Sequence, residues 1–198
     1  MLIDIVVLPP PLVAQNLAHQ VKRASRGRRA VFVVDAKKLK HHLSLFHVNV
    51  INAKFPLVES IVQGLAHSTP HILLKPYKIH FDADSVWLEY CRSTPLVKLK
   101  NLIIKRVAPL RLAPMPYTSS KPLPKLRRIY RKRFGVHYNI GPFFRPHLTL
   151  AKYRNVTDAR AVALQLNVNS LKFHTDTLAL AQINRRHQVT KILKKFKV

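Results

Sequence analysis

Phe144-Arg145-Pro146-His147-Leu148-Thr149-Leu150-Ala151 is the stretch on which the fold of this 198-residue chain turns. Its alternation of apolar and polar residues predicts a strand over Phe144–Tyr153. Successive side chains on a strand point to opposite faces, so His147, Thr149 and Ala151 share one face while Leu148 and Leu150 anchor the other. An imidazole and a hydroxyl two residues apart are thereby set side by side. The same pattern occurs earlier as His42-Leu43-Ser44-Leu45, on a strand expected over His41–Val50. Simple alternation puts His42, Ser44, Phe46, Val48 and Val50 on one face of that strand. It turns His47 to the opposite face, outside the candidate site. A third histidine with a hydroxyl residue two positions on, His67–Thr69, is flanked by Ser68 and Pro70 and does not fit.

Two such strands facing one phosphate would supply two imidazoles and two hydroxyls. Imidazole titrates near neutrality, with an unperturbed pKa of about 6.5, so one ring can accept a proton while the other donates one. Transphosphorylation or hydrolysis at a ribose phosphate needs that division of labour. Ser44 and Thr149 could then hydrogen-bond the non-bridging oxygens as charge develops. No metal or other cofactor is needed for this chemistry. A chain with 8 acidic residues and no carboxylate cluster is consistent with that.

Outward from the motifs, strands and helices interleave in two loosely similar halves, each with one histidine strand. Leu2–Leu8 reads as a buried strand, and the prolines Pro9–Pro11 open a helix carrying Leu12/Val13, Leu17 and Val21. Val31–Val34 is a short strand and Pro56–Ala66 a helix. Ile72–Cys91 forms two strands around the turn residues Asp82–Ser85. Thr94-Pro95 resembles an N-cap and first-turn proline for a helix with Leu96, Leu99, Leu102/Ile103 and Val107 on its apolar stripe. Pro109 to Pro124, with Thr118, Ser119 and Ser120, reads as a loop, and Lys125–Arg133 as a basic helical segment. Thr157-Asp158 begin a helix through Leu166, and closing strands fill Leu171–Val198.

Charge is the unusual bulk property. Lys and Arg total 35 against 8 acids, a formal charge of +27, and no Asp or Glu lies between Cys91 and Thr157. Basic runs occupy Lys22–Arg29, Lys37–His42, Arg127–Arg133 and Lys191–Lys197. Such a chain attracts polyanions, RNA and DNA being the commonest. The same field disfavours imidazolium, so the histidines are expected to titrate below isolated ones. No apolar run is long enough to cross a bilayer, the first residues make a poor secretory signal, and the one cysteine, Cys91, allows no internal disulfide. These features point to a cytoplasmic monomer, with Cys91 as a small buried hydrophobe.

The two motifs and their separation resemble those of the two-histidine phosphoesterase superfamily. More closely, the chain is similar to bacterial 2′-5′ RNA ligase or RNA 2′,3′-cyclic phosphodiesterase proteins. Leu2–Pro10 looks like the family's opening strand, Leu43–Phe46 like the continuation of its first motif, and Phe144–Ala151 like its second. The resemblance implies an α+β, bilobal fold over residues 1–198, with two antiparallel sheets and flanking helices around a central groove. A Pro-rich basic loop would interrupt it at about 109–134. It also implies metal-independent catalysis by His42 and His147, leaning to His42 as acid and His147 as base, with Ser44 and Thr149 on the phosphate. His41 stands where the family often has proline, Lys152 where it often has arginine, and Asn184-Arg185-Arg186-His187 where a glycine-rich stretch is expected.

The substrate expected is an RNA 2′,3′-cyclic phosphate end, on a tRNA fragment or another RNA, with 2′-5′ ligation as the reverse reaction. Arg145 and Lys152, beside the second motif, are candidate phosphate ligands. Tyr130, Tyr138, Phe143 and Phe144 are candidates for base stacking, with core packing as the alternative. His67, His71 and His80 lack ligand spacing for zinc. Two other readings stay open. One is a basic RNA-binding module that keeps the fold without catalysis, and the other is a phosphoesterase of small cyclic phosphates.

Overall fold

The computed structural model describes residues 1–115, 122–168 and 171–198, so Thr118, Ser119 and Ser120 of the expected loop lie outside the described residues. The apolar opening segment forms β1 (Leu2–Val7), and α1 (Pro11–Ala24) starts on a proline whose missing N–H costs nothing in a first turn. There follow β2 (Ala30–Val33), β3 (Leu43–Asn49) and α2 (Phe55–Ser68). The next strands are β4 (Leu73–Leu74), β5 (Pro76–Asp82) and β6 (Ser85–Tyr90), and α3 (Thr94–Val107) comes after them. Ser93, one residue before the expected cap, holds the N-cap position of α3 in extended backbone.

The Pro-rich basic loop expected at about 109–134 is corrected over its second part, where the basic segment is a helix, α4 (Lys125–Phe134), with none of its residues buried. Gly135, at φ 82°, ends it in the left-handed conformation that glycine adopts most cheaply. The second motif opens β7 (His147–Tyr153) at its histidine, and α5 (Val156–Ala163) is capped by Asn155, whose side chain accepts from the Asp158 amide at 2.7 Å. The last strands are β8 (Phe173–His174), β9 (Thr177–Ile183) and β10 (Val189–Lys197).

Where two sheets were expected, the strands form an eight-stranded antiparallel sheet and a two-stranded one. The large sheet runs β10-β9-β1-β3-β7-β6-β5, with β2 also on β7, and the small one joins β4 to β8. The two halves persist inside the large sheet. Helices α2 and α3 pack against β10, β9 and β3, whereas α1 and α5 pack against β7, β6 and β5. The halves meet where Leu43 pairs with Leu148, the registered pair between the two histidine strands. Both leucines are fully buried, each stabilising the join by about 2 kcal/mol. The second residue of each motif therefore fastens the two halves at the point where their histidines must converge.

Each histidine strand carries a bulge at the fourth residue of its motif. Ile5 pairs with Phe46 and Val6 with Ser44, leaving Leu45 as the extra residue of β3. Val86 pairs with Ala151 and Trp87 with Thr149, leaving Leu150 as the extra residue of β7. A bulge reverses the alternation beyond it. Phe46 and Val48 are buried in the main core, and His47 lies opposite Asp4 of β1. The simple-alternation assignment of His47 to the far face is thus corrected.

Candidate functional site

A pocket of about 190 Å³ lies on the face turned away from that core, where the two motifs meet. His42, Ser44, His147 and Thr149 all line it. The two imidazoles are held alike. His42 Nδ1 lies 2.8 Å from the Lys40 carbonyl and His147 Nδ1 lies 2.7 Å from the Arg145 carbonyl, in each case the residue two positions upstream. A carbonyl oxygen only accepts, so each Nδ1 carries hydrogen and Nε2 is left to take or give a proton.

Burial pushes the His42 and His147 pKa values below that of a free histidine. For His42, the Asp4 carboxylate and the Lys40 carbonyl work against that burial; for His147, the Arg145 carbonyl does so alone, and the charges of His42, His47 and Arg145 deepen the depression.

Behind the first motif lies a group that pattern reading did not single out. Asp4 is fully buried. Its Oδ2 accepts from Ser44 Oγ at 2.6 Å, lies 3.1 Å from His47 Nε2 and 3.8 Å from His42 Nε2. Burial would raise its pKa, but His47, His42 and Ser44 together hold it below the usual carboxylate range. The signal was a lone carboxylate in an otherwise apolar strand. Opposite the second motif, Glu89 pairs with His147 in register, but its carboxylate is held by His80 and Arg145, and Thr149 Oγ1 makes no hydrogen bond among the described residues.

The pocket also takes in His47, Tyr138, Asn139, His187 and Gln188. The Tyr138 and His187 rings stack 5.6 Å apart, and both lie against His47. Asn139, at φ 50°, donates to the Ser44 carbonyl at 3.4 Å and accepts from the Arg145 amide at 3.1 Å, tying both motifs to one loop. His187 and Gln188 come from the β9–β10 turn, the segment in which a glycine-rich stretch had been expected.

Other expected residues stand elsewhere. Arg145, half exposed, is bound to Glu89 at 2.7 Å beside Trp87, and Lys152 pairs with Asp84 at 3.1 Å. Neither lines the pocket. Phe144 is core, with the buried Lys100 ammonium 4.2 Å over its ring. Lys100 donates to the carbonyl of the bulged Leu45, and burial brings its pKa down to about 7. Cys91 is exposed, not buried.

The fold has counterparts among solved structures. TT0787 of Thermus thermophilus matches with a TM-score of 0.59 at 15% identity, over 100% of this chain and 97% of that one. E. coli LigT complexed with 3′-AMP matches with a TM-score of 0.57 at 15% identity, over 99% and 96%. The chain has a LigT-like fold. LigT complexed with ATP gives a TM-score of 0.56 at 16% identity, over 100% and 97%. No protein-family model matches the chain, and no curated protein matches it in sequence. The LigT likeness is one of fold. No helix among the described residues is long and apolar enough to cross a membrane.

Proposed function

We propose that the chain is a metal-independent phosphodiesterase that opens 2′,3′-cyclic phosphates at RNA ends. The observation that carries this reading is the matched pair of imidazoles, each fixed through Nδ1 to a carbonyl two residues upstream, at one pocket. The LigT-like fold supports a phosphoester, and the net charge of +27 supports a polyanionic carrier for it. RNA supplies the neighbouring 2′-oxygen on which a cyclic phosphate depends.

In this reading His147 Nε2 takes a proton from water as its oxygen attacks phosphorus. The P–O bond to one ribose oxygen breaks, and His42 Nε2 protonates that oxygen. Asp4 sets the order, because its carboxylate favours imidazolium at His42, whereas Glu89, the cross-strand neighbour of His147, is held by His80 and Arg145. Thr149 is the hydroxyl that donates to a non-bridging oxygen. Ser44 touches the same phosphate but directs its hydrogen to Asp4, so its part is to hold that carboxylate in place. In 2′-5′ ligation an RNA 5′-hydroxyl takes the place of water: His147 Nε2 accepts its proton as its oxygen attacks phosphorus, the P–O3′ bond breaks, and His42 Nε2 protonates the 3′-oxygen.

The test is hydrolysis of a short RNA ending in a 2′,3′-cyclic phosphate in excess EDTA, with the position of the product phosphate identified. Turnover that yields a single monoester is the expected result. Tight RNA binding by folded protein without turnover would transfer the assignment to a binding module.

A further inference from the structure

A second cavity, of about 330 Å³, lies between α3 and α4, outside the catalytic pocket. Lys105 of α3 and Arg133 of α4 flank it, and both are exposed. Tyr130 and Phe134 of α4 form its floor, half-buried, with their rings stacked 6.0 Å apart. Aromatic faces bordered by cations that no carboxylate holds are what a single nucleic-acid strand uses: bases stack on the rings and phosphates meet the charges, and here the Arg133 guanidinium already lies 5.0 Å over the Phe134 ring. No carboxylate pairs with an α4 cation among the described residues, and the sequence has no acid between Cys91 and Thr157.

The cleft also lies near the catalytic pocket. Ile104 and Ile140 line both it and a narrow cavity whose other walls include Ser44, His47 and Asn139. Those three residues line the catalytic pocket as well. Tyr130 closes directly on the turn that leads into His147, where a Cβ on Gly141 would fall 2.5 Å from its hydroxyl oxygen. A side chain there would displace Tyr130, and only the bare glycine lets α4 settle on the turn that leads into His147.

We propose that the α3–α4 cleft is a nucleotide subsite that holds the RNA strand upstream of the reacting end, Tyr130 and Phe134 stacking a base and Lys105 and Arg133 meeting its flanking phosphates. This rests on the reading of the catalytic pocket as acting on RNA ends. It adds that the enzyme recognises a strand and not a terminal nucleotide alone.

Two substrates separate the subsite from the catalytic pocket: cytidine 2′,3′-cyclic phosphate and a ten-nucleotide RNA with the same cyclic end. The wild type should favour the decamer by at least about tenfold in KM. In the exposed-residue double variant Lys105→Gln/Arg133→Gln that preference should fall about tenfold, with kcat and the mononucleotide KM unchanged. The logarithmic salt slope of decamer binding should drop by about 1.4, the value for two single-strand phosphate contacts. Phe134→Leu should also raise the decamer KM but leave the salt slope as it was. Equal KM values for the two substrates in wild type, or equal losses on both in the variants, would overturn the subsite. Should neither substrate be turned over, the catalytic reading fails. The subsite is then judged by fluorescence anisotropy of a 3′-phosphorylated decamer, where an unaltered Kd in the double variant would overturn it.

Discussion

The strands of His42 and His147 repeat one device. Each has an imidazole bound to the carbonyl two residues back, a leucine joining the halves, a hydroxyl facing the pocket and a bulged leucine after it. What lies behind the two strands differs. The Leu45 carbonyl, freed from the ladder by its bulge, accepts from the Lys100 side chain, while the Leu150 carbonyl accepts from the Val34 amide at 2.9 Å. His42 and Ser44 back onto Asp4, whereas the carboxylate across from His147, Glu89, is held by His80 and Arg145. Symmetric backbone with asymmetric backing is how two like imidazoles can take opposite roles, one holding a proton and the other lacking it.

The largest effects should be equal across the two halves. His42→Ala and His147→Ala should each lower kcat by about a thousandfold, measured on the cyclic-phosphate RNA with folding checked by circular dichroism. A loss confined to one variant would break the pairing. The hydroxyls should then separate the halves. Thr149→Val should cost about a hundredfold in kcat, as removal of a donor to developing charge does. Ser44→Ala should cost about tenfold or less, because its hydrogen is already given to Asp4. Equal losses at the two positions would remove the proposed asymmetry.

Asp4→Asn sharpens the comparison through pH. The carboxylate favours the protonated form of His42 against a burial that lowers its pKa, so the variant lowers it further. The alkaline limb of kcat/KM, which reports the acid, should move to lower pH, while the acidic limb set by His147 stays in place. Movement of the acidic limb instead would exchange the two roles. Because both pKa values are depressed, the wild-type optimum should lie below about pH 6.5. The smallest effect belongs to Arg145→Gln. Its guanidinium is engaged by Glu89 and its carbonyl, which holds His147, is retained, so KM should change by less than about twofold.

Much of this was legible before the fold was known. The four motif residues and the edge strands follow from local periodicity, and the structure brings His42, Ser44, His147 and Thr149 to one pocket. The bulges were not legible, because a bulge is defined by the partner strand and leaves no mark in the alternation of its own. That is why His47 was assigned to the wrong face and why its contact with Asp4 went unseen. Asp4 itself was visible as a carboxylate among Leu2, Ile3, Ile5 and Val6, a local conflict of the kind that functional sites produce. His187 reaches the pocket through a turn, for which the sequence pattern offers no direction. Arg145 and Lys152 are adjacent to the second motif in sequence, but two carboxylates, Glu89 and Asp84, engage them.

The most direct test of a paired acid and base is a double-mutant cycle on kcat with His42→Ala, His147→Ala and the combined variant. Groups that act as a unit lose their joint contribution when either is removed. The double variant should therefore be no slower than the slower single variant, to within about threefold. Losses that multiply, each histidine contributing independently of the other, would contradict the account.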